Sequence, residues 1–453
     1  MVKPPISTVA IVPSARRLVT SLRDLGYDLL HAVADIVDNS LAAGATDVRI
    51  DLHFAGPESW LRIADNGTGM SAIEINEAMR FGADRAYAQN DLGKFGLGLK
   101  TASLSQCRRL VVASRSAASG SAVEVRCLDL DHIEQTDRWE VLMLDPDTTS
   151  DVLVTPLSRR AGTVVLWQCL DRMMAYKSPK GGHARAGLES LAQQLNDHLG
   201  MVFHRFLAGE VTRRARLSIR VNEAHVVPWD PFAVDEASTE TLPGAEISVA
   251  TGTSVGLVRF RPFVLPSEKL FSSGEAFRRL AGPRRWNAQQ GFYIYRANRM
   301  IQSGGWCRMR APDEHAKLAR ASIDFFPELD AAFEVNVAKA RVGLPQQLRE
   351  GLTPHIESWV RRAQAVYRAG AKSSADRAAP SEPSMRDDRK LAGLGMTLER
   401  AARQVGESKA LRRIVAELIH SDPHVAAALG WHRSGRDPRR PRSAERRHAS
   451  TSP

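Results

Sequence analysis

Three stretches of this chain hold chemistry-bearing residues at spacings that a fold can use. From Asp91 to Ser105 the sequence runs Asp-Leu-Gly-Lys-Phe-Gly-Leu-Gly-Leu-Lys-Thr-Ala-Ser-Leu-Ser, so that Gly93, Gly96 and Gly98 open onto a run free of helix breakers. Such glycines adopt positive φ angles or let backbone amides approach closely, and a helix over Leu97–Gln106 would turn its free N–H groups and positive dipole end toward an anion. The stretch predicts a phosphate cradle. Asp35 and Asn39 stand four residues apart in a helical pattern and therefore on one face, a carboxylate beside a neutral amide oxygen. Asp65-Asn66-Gly67-Thr68-Gly69-Met70 supplies a second carboxylate at the entrance to a glycine turn.

The elements that position these groups follow from periodicity. Between Ala15 and Ala43 the apolar residues Leu18, Leu22, Leu25, Leu29, Val33, Ile36 and Val37 recur at three- and four-residue spacing, which predicts helix with an interruption near Gly26 and a stop at Gly44. Val48, Ile50 and Leu52 alternate as a strand, a second strand covers Trp60–Ala64, and Ser71 with Glu74 forms a capping box for the helix after the glycine turn. The order is helix with acid and amide, hairpin, Asp-x-Gly-x-Gly, helix, glycine loop, helix.

The 453 residues, 43% hydrophobic and 25% charged, have room for two to three domains with a large core. No apolar run approaches the roughly eighteen residues that span a bilayer, and Met1–Val12 lacks the layout of a signal peptide, so the expectation is a cytoplasmic protein without membrane contact. Cys107, Cys127, Cys169 and Cys307 are scattered without a CxxC pair, which argues against a disulfide framework or zinc site and predicts buried small hydrophobes. The net charge of +11 points to an acidic or polyanionic partner.

Together the motifs resemble a family. Val33–Thr46 looks like the first box of the GHKL ATPases, the group of gyrase B, the large heat-shock chaperone, histidine kinases, MutL and MORC proteins, and the MutL and MORC versions resemble it best. Asp65–Met70 matches the second box, Gly93–Lys100 the third, and Gly162-Thr163 before the strand Val164–Cys169 the fourth. A P-loop GxxxxGK[ST] is absent, and no GxGxxG follows a strand. The resemblance implies a fold of α+β class: a GHKL (Bergerat) α/β sandwich, a smaller α/β transducer-like domain of ribosomal-protein-like fold, and a helical C-terminal element. It implies ATP and Mg²⁺ as cofactors. Asn39 would hold the metal, Asp65 would accept the adenine amino hydrogen, and Gly67, Gly69, Met70 and Thr163 would line the base and ribose. Gly93, Lys94, Phe95, Gly96, Leu97, Gly98 and Lys100 would hold the phosphates under a lid formed by Gly82–Leu92. Asp35 takes the place of a glutamate general base, and Ala42 replaces an aspartate, two departures that suggest slow turnover.

Downstream, Leu188–Leu207 reads as an amphipathic helix and Leu217–Val227 as a strand pair closing at Pro228-Trp229-Asp230-Pro231. Strands at Ser254–Phe260 and Gly291–Arg296 lead to Asn298-Arg299-Met300-Ile301 and then to Phe333–Val342, an order similar to the MutL transducer domain, in which Lys339 would reach the γ-phosphate. The segment is two residues shorter than the family's between Val337 and Lys339. Helix returns over Leu344–Tyr367. The expected division is an ATP-binding domain over 1–233, a transducer-like domain over 234–371, a linker over 372–389, a small helical element over 390–431 and a disordered basic tail over 432–453. That tail holds seven arginines against Asp437 and Glu445, a charge density suited to DNA phosphates, and Arg213, Arg214, Arg216, Arg278, Arg279, Arg284 and Arg285 could add a second surface. The functional expectation is a Mg-dependent ATPase that dimerises when ATP-bound and acts as a clamp in DNA-related work: repair, chromosome organisation or defence. A chaperone-like ATPase acting on proteins and a non-hydrolysing nucleotide switch are the alternatives.

Overall fold

The computed structural model describes residues 13–24, 27–82, 98–118, 122–252, 254–335, 342–377, 385–429 and 431. Its first elements are the two helices that the interruption near Gly26 predicts. In α1 (Ala15–Arg23) the Ser14 hydroxyl caps the first turn, and in α2 (Leu29–Ala42) Asp28 accepts from the His31 amide at 2.9 Å. Gly44 ends α2 at φ +73°, a conformation in which a side chain would be strained. Next come the hairpin β1 (Asp47–His53) and β2 (Trp60–Asp65), then α3 (Ala72–Met79), whose Ser71–Glu74 capping box is complete. They are followed by α4 (Gly98–Leu104), β3 (Arg109–Arg115), β4 (Glu124–Asp129), α5 (Leu130–Thr136), β5 (Leu142–Leu144), α6 (Asp151–Val154), β6 (Gly162–Gln168), α7 (Gly182–Val202), α8 (His204–Ala208), β7 (Ser218–Val221) and β8 (Ala224–His225).

The eight strands form one sheet in the order β5-β4-β3-β6-β2-β1-β7-β8, with β1 and β7 the parallel pair. Side chains alternate between its faces. Val48, Ile50, Leu61, Ile63, Leu110, Val112 and Trp167 join the core under α1, α2 and α7, while Ala64, Val111, Ala113, Val125, Val164 and Leu166 meet Leu153 and Leu157 on the other side. Because β3 is covered on both faces, its sequence is a continuous apolar run without alternation.

A second sheet is built from β9 (Glu240–Thr241), β10 (Ala245–Thr251), β11 (Ser254–Val264), β12 (Gly291–Arg296), β13 (Arg299–Gln302) and β14 (Ala319–Phe325), with α9 (Gly274–Leu280) and α10 (Arg285–Ala288) between β11 and β12. Its order is β10-β11-β14-β12-β13, with β9 added to β11. The helix α11 (Gln346–Arg377) packs on this sheet through Leu348, Leu352, Trp359 and Ala363, and the buried Trp359 Nε1 donates to the Phe263 carbonyl. Both sheets belong to one compact unit, Met1–Gly370. Polar contacts from α8 join them: His204 Nε2 pairs with the Tyr295 hydroxyl at 2.8 Å, and Arg205 pairs with Asp324.

The second unit, Ala371–Pro453, holds α12 (Met385–Gln404), α13 (Ser408–Ser421) and α14 (Pro423–Ala428). Its residues of described burial are mostly exposed, apart from such positions as Ala426 at 1%, and Trp431 Nε1 donates to Glu399 at 3.0 Å. Within the expected linker over 372–389, α11 runs through Arg377 and α12 begins at Met385, and residues 378–384 lie outside the described residues. Ala371–Arg377 contains neither Gly nor Pro, so nothing local stops the helix there. The basic tail 432–453 lies outside the described residues. Among the described residues no helix is long and apolar enough to cross a membrane. Of the four cysteines expected to be buried, Cys107 and Cys127 are, Cys307 is half-buried, and Cys169 is exposed at the end of β6, where φ is +53°.

Candidate functional site

Asp65, the last residue of β2, is buried, and three donors surround its carboxylate. Oδ1 accepts from the amides of Gly67 at 2.9 Å and Thr163 at 3.2 Å, and Oδ2 accepts from the Ser40 hydroxyl at 2.9 Å. Burial pushes this carboxyl above its usual range, opposed by the same three donors and by Arg160. A carboxylate offers about four acceptor positions, so these donors leave one on Oδ2. Gly69 sits at φ +64°, and a Cβ there would fall 1.9 Å from the Arg115 carbonyl oxygen. Glycine is therefore required for the turn to lie against β3. Ser114 ties the turn down: its Oγ accepts from the Met70 amide at 2.8 Å and approaches the Gly162 carbonyl and Thr163 Oγ1 at 2.9 and 3.0 Å.

One helix away, α2 presents its polar residues differently. Asn39 is the one exposed residue between Ala32 and Leu41, while Asp35 and Asp38 are 2% and 0% exposed. Tyr27 donates its hydroxyl to Asp35 Oδ2 at 3.0 Å, and burial with the Asp35 charge pushes the phenol far above its ordinary value. Arg299, from β13 of the second sheet, places Nε 3.1 Å from Asp38 Oδ2 and Nη2 3.6 Å from Asp35 Oδ1. Gly98 opens α4 against this cluster, since a Cβ there would stand 3.9 Å from Asp35 Oδ2. The third and first boxes thus meet at Asp35.

Lys100 is buried on α4 and donates from Nζ to the Ala78 carbonyl at 2.9 Å, with burial holding its ammonium down to about 8. The structure brings Gly98 to Asp35, with Asn39 one turn further along α2, and gathers Asp65, Gly67, Gly69, Met70 and Thr163 around the turn after β2. Gly93, Lys94, Phe95, Gly96, Leu97, the lid from residue 83 onward, and Lys339 lie outside the described residues. Tyr27, Ser40, Ser114 and Arg299 are not site candidates by sequence: Ser40 lies in the first box and Arg299 in the Asn298–Ile301 segment, but what each touches depends on contacts across the sequence. The second-surface arginines Arg214 and Arg216 are engaged within the fold, donating to the carbonyls of Leu41 and Leu207.

Comparison with known proteins places the region that holds these residues among known sequences. Residues 27–163 match the family model described as "Histidine kinase-, DNA gyrase B-, and HSP90-like ATPase". The chain is similar to ATPase morc-1 of Caenorhabditis elegans, 34% identical over 86 residues, which is 19% of this chain and 10% of that protein. It is similar to the DNA mismatch repair protein MutL of Azorhizobium caulinodans, 35% identical over 99 residues (21% of this chain, 16% of that protein). It also resembles MutL of Escherichia coli, 28% identical over 198 residues (43% of this chain, 27% of that protein). Each match thus spans about a quarter or less of the relative's own length. Residues 27–163 thus match a GHKL ATPase domain, and the chain is similar there to MutL and MORC proteins.

Proposed function

We propose that this protein binds Mg·ATP and hydrolyses it slowly, and that ATP-bound copies dimerise as a clamp in DNA-related work. The carrying observation is Asp65: a buried carboxylate with three fixed donors and one acceptor position left on Oδ2 suits an exocyclic amino group, and so favours adenine over guanine, which offers a carbonyl there. Asn39 fits a magnesium ligand, because an exposed neutral oxygen donor on an otherwise buried helix suits a hard cation that already carries anionic phosphates. ATP held there supplies the scissile phosphoanhydride, and Mg²⁺ offsets its charge. Asp35 receives the proton of the attacking water on its carboxylate, Gly93–Lys100 binds the phosphates through backbone amides, and Lys339 stabilises the γ-phosphate from the transducer-like domain over 234–371.

The DNA-related part rests on the names of the MutL relatives and on the arginine-rich tail. A chaperone-like ATPase would share the site, and a nucleotide switch would share it without turnover. ATP with Mg²⁺ is expected to raise the melting temperature more than GTP does, and a non-hydrolysable ATP analogue to raise the sedimenting mass. Equal stabilisation by GTP would refute the base pocket. A monomer in every nucleotide state would remove the clamp. Lys339→Ala is expected to slow turnover while leaving ADP affinity unchanged, since ADP lacks the group it would contact.

A further inference from the structure

Arg299 is 1% exposed and stands between two buried carboxylates from a helix 261 residues earlier in the chain. Asp35 and Asp38 are three apart on α2 and therefore neighbours, and two buried like charges at that distance disfavour one another. The single guanidinium spans both, with Nε toward Asp38 and Nη2 toward Asp35. A planar fork can reach two carboxylates in this way, whereas the point charge of a lysine cannot. The turn that delivers it is tight: Ala297 and Asn298, between β12 and β13, both have positive φ (47° and 70°), as a two-residue hairpin of the primed type requires but non-glycine residues seldom adopt. Asn298 Oδ1 accepts from Arg205 of α8, and Ala297 packs against the first core. The hairpin tip is thus fixed to the ATP domain, with Tyr27, Thr101 and His198 among the polar groups around the cluster.

We propose that Arg299 is a positioning residue for Asp35, through which the second sheet aims the general base without touching the nucleotide. This rests on the reading of Asp35 as that base. An aspartate has one methylene fewer than glutamate and so less freedom to find an attacking water, and an ionic contact from outside the ATP domain fixes where its carboxylate points. Arg299→Lys keeps the charge but loses the span. In the full-length protein it is expected to leave the nucleotide-free melting temperature and the affinity for a fluorescent ATP analogue near those of the parent, while single-turnover hydrolysis of bound ATP falls by roughly tenfold or more. If Arg299→Lys fails to fold, Arg299→Met with Asp38→Asn preserves the net charge of the cluster and is expected to show the same split between affinity and turnover. A parental rate in a folded variant would overturn the proposal and make Arg299 a structural tie. Loss of the fold in both variants would do the same. A parent that binds ATP but never turns it over would overturn the hydrolytic reading itself, and is told apart because the parent, not the variant, is silent.

Discussion

The two carboxylates of the site are held in opposite ways. Asp65 takes its donors from the first sheet and its helices: the Gly67 amide two residues on, the Ser40 hydroxyl of α2 and the Thr163 amide of β6. Asp35 takes Tyr27 from the same domain but Arg299 from the second sheet. The contacts of Asp65, the proposed base acceptor, thus lie within residues 27–163, whereas those of Asp35, the proposed general base, include a strand beyond residue 290. On the proposed roles, a movement of the second sheet would change turnover while leaving the choice of nucleotide untouched.

The largest effect expected from this contrast is on the hydrolytic side. Asp35→Ala should lower single-turnover hydrolysis on the order of 10²–10⁴-fold, the usual contribution of a general base, and leave ATP affinity close to the parent's. Equal turnover by mutant and parent would remove Asp35 from catalysis. Asp65→Asn should do the reverse. Its buried acceptor loses charge and gains a donor facing the adenine amino group, a cost of about 1–3 kcal/mol, or ten- to a hundredfold in ATP affinity by calorimetry. Unchanged affinity would place the base elsewhere.

The junction on which Arg299 depends can be probed by acid. His204, paired with Tyr295 across the two sheets, is held down to about 3 from 6.5 by burial and then by Arg205. His198 is held down to about 3 by burial, His31 and Arg299. Both are neutral when folded, while the unfolded chain takes up their protons below 6.5. Their contribution is thus present above that value and lost as the pH falls from 6.5 toward 3. Between pH 7 and 5 each should cost about 2 kcal/mol of stability, and His204→Gln should remove about half of the combined loss. Denaturant midpoints for parent and variant at the two pH values check this. Parallel shifts in the two proteins would mean that His204 is not the titrating group.

How much of this was legible in the sequence differs between the same two ends. The α1–α2 break, the β1–β2 hairpin, the Ser71–Glu74 box and the glycine turn all follow from local rules, and they carry Asp65 into place. Strand β3 did not stand out, because a strand buried on both faces has no alternation to read. Nor could sequence spacing pair Arg299 with Asp35, since only the topology of the second sheet brings a hairpin tip to that helix. Ser40 was hidden differently: it follows Asn39 directly in the first box, and its role appears only when β2 carries Asp65 beside it. The extension of α11 to Arg377 was not legible either, because composition marks where chain could be flexible, while a stretch without Gly or Pro does not stop a helix already begun.

The smallest expected effect tests whether the two ends are independent despite sharing α2. Ser40 lies one residue beyond Asn39 and five beyond Asp35, yet its hydroxyl serves Asp65 Oδ2 at 2.9 Å. Removing it leaves Oδ1 fully bonded and frees a second acceptor position on Oδ2, so the carboxylate is less well oriented but not orphaned. Ser40→Ala should therefore weaken ATP binding by roughly two- to tenfold, the worth of about 0.5–1.5 kcal/mol for one hydrogen bond. The rate at which bound ATP is hydrolysed should not change, because nothing in the Asp35, Asp38 and Arg299 cluster touches that hydroxyl among the described contacts. Equilibrium binding and single-turnover kinetics on the same preparation separate the two quantities. A fall in turnover equal to the fall in affinity would mean that α2 transmits strain from one carboxylate to the other, and that the division between base recognition and hydrolysis drawn from Arg299 is too sharp.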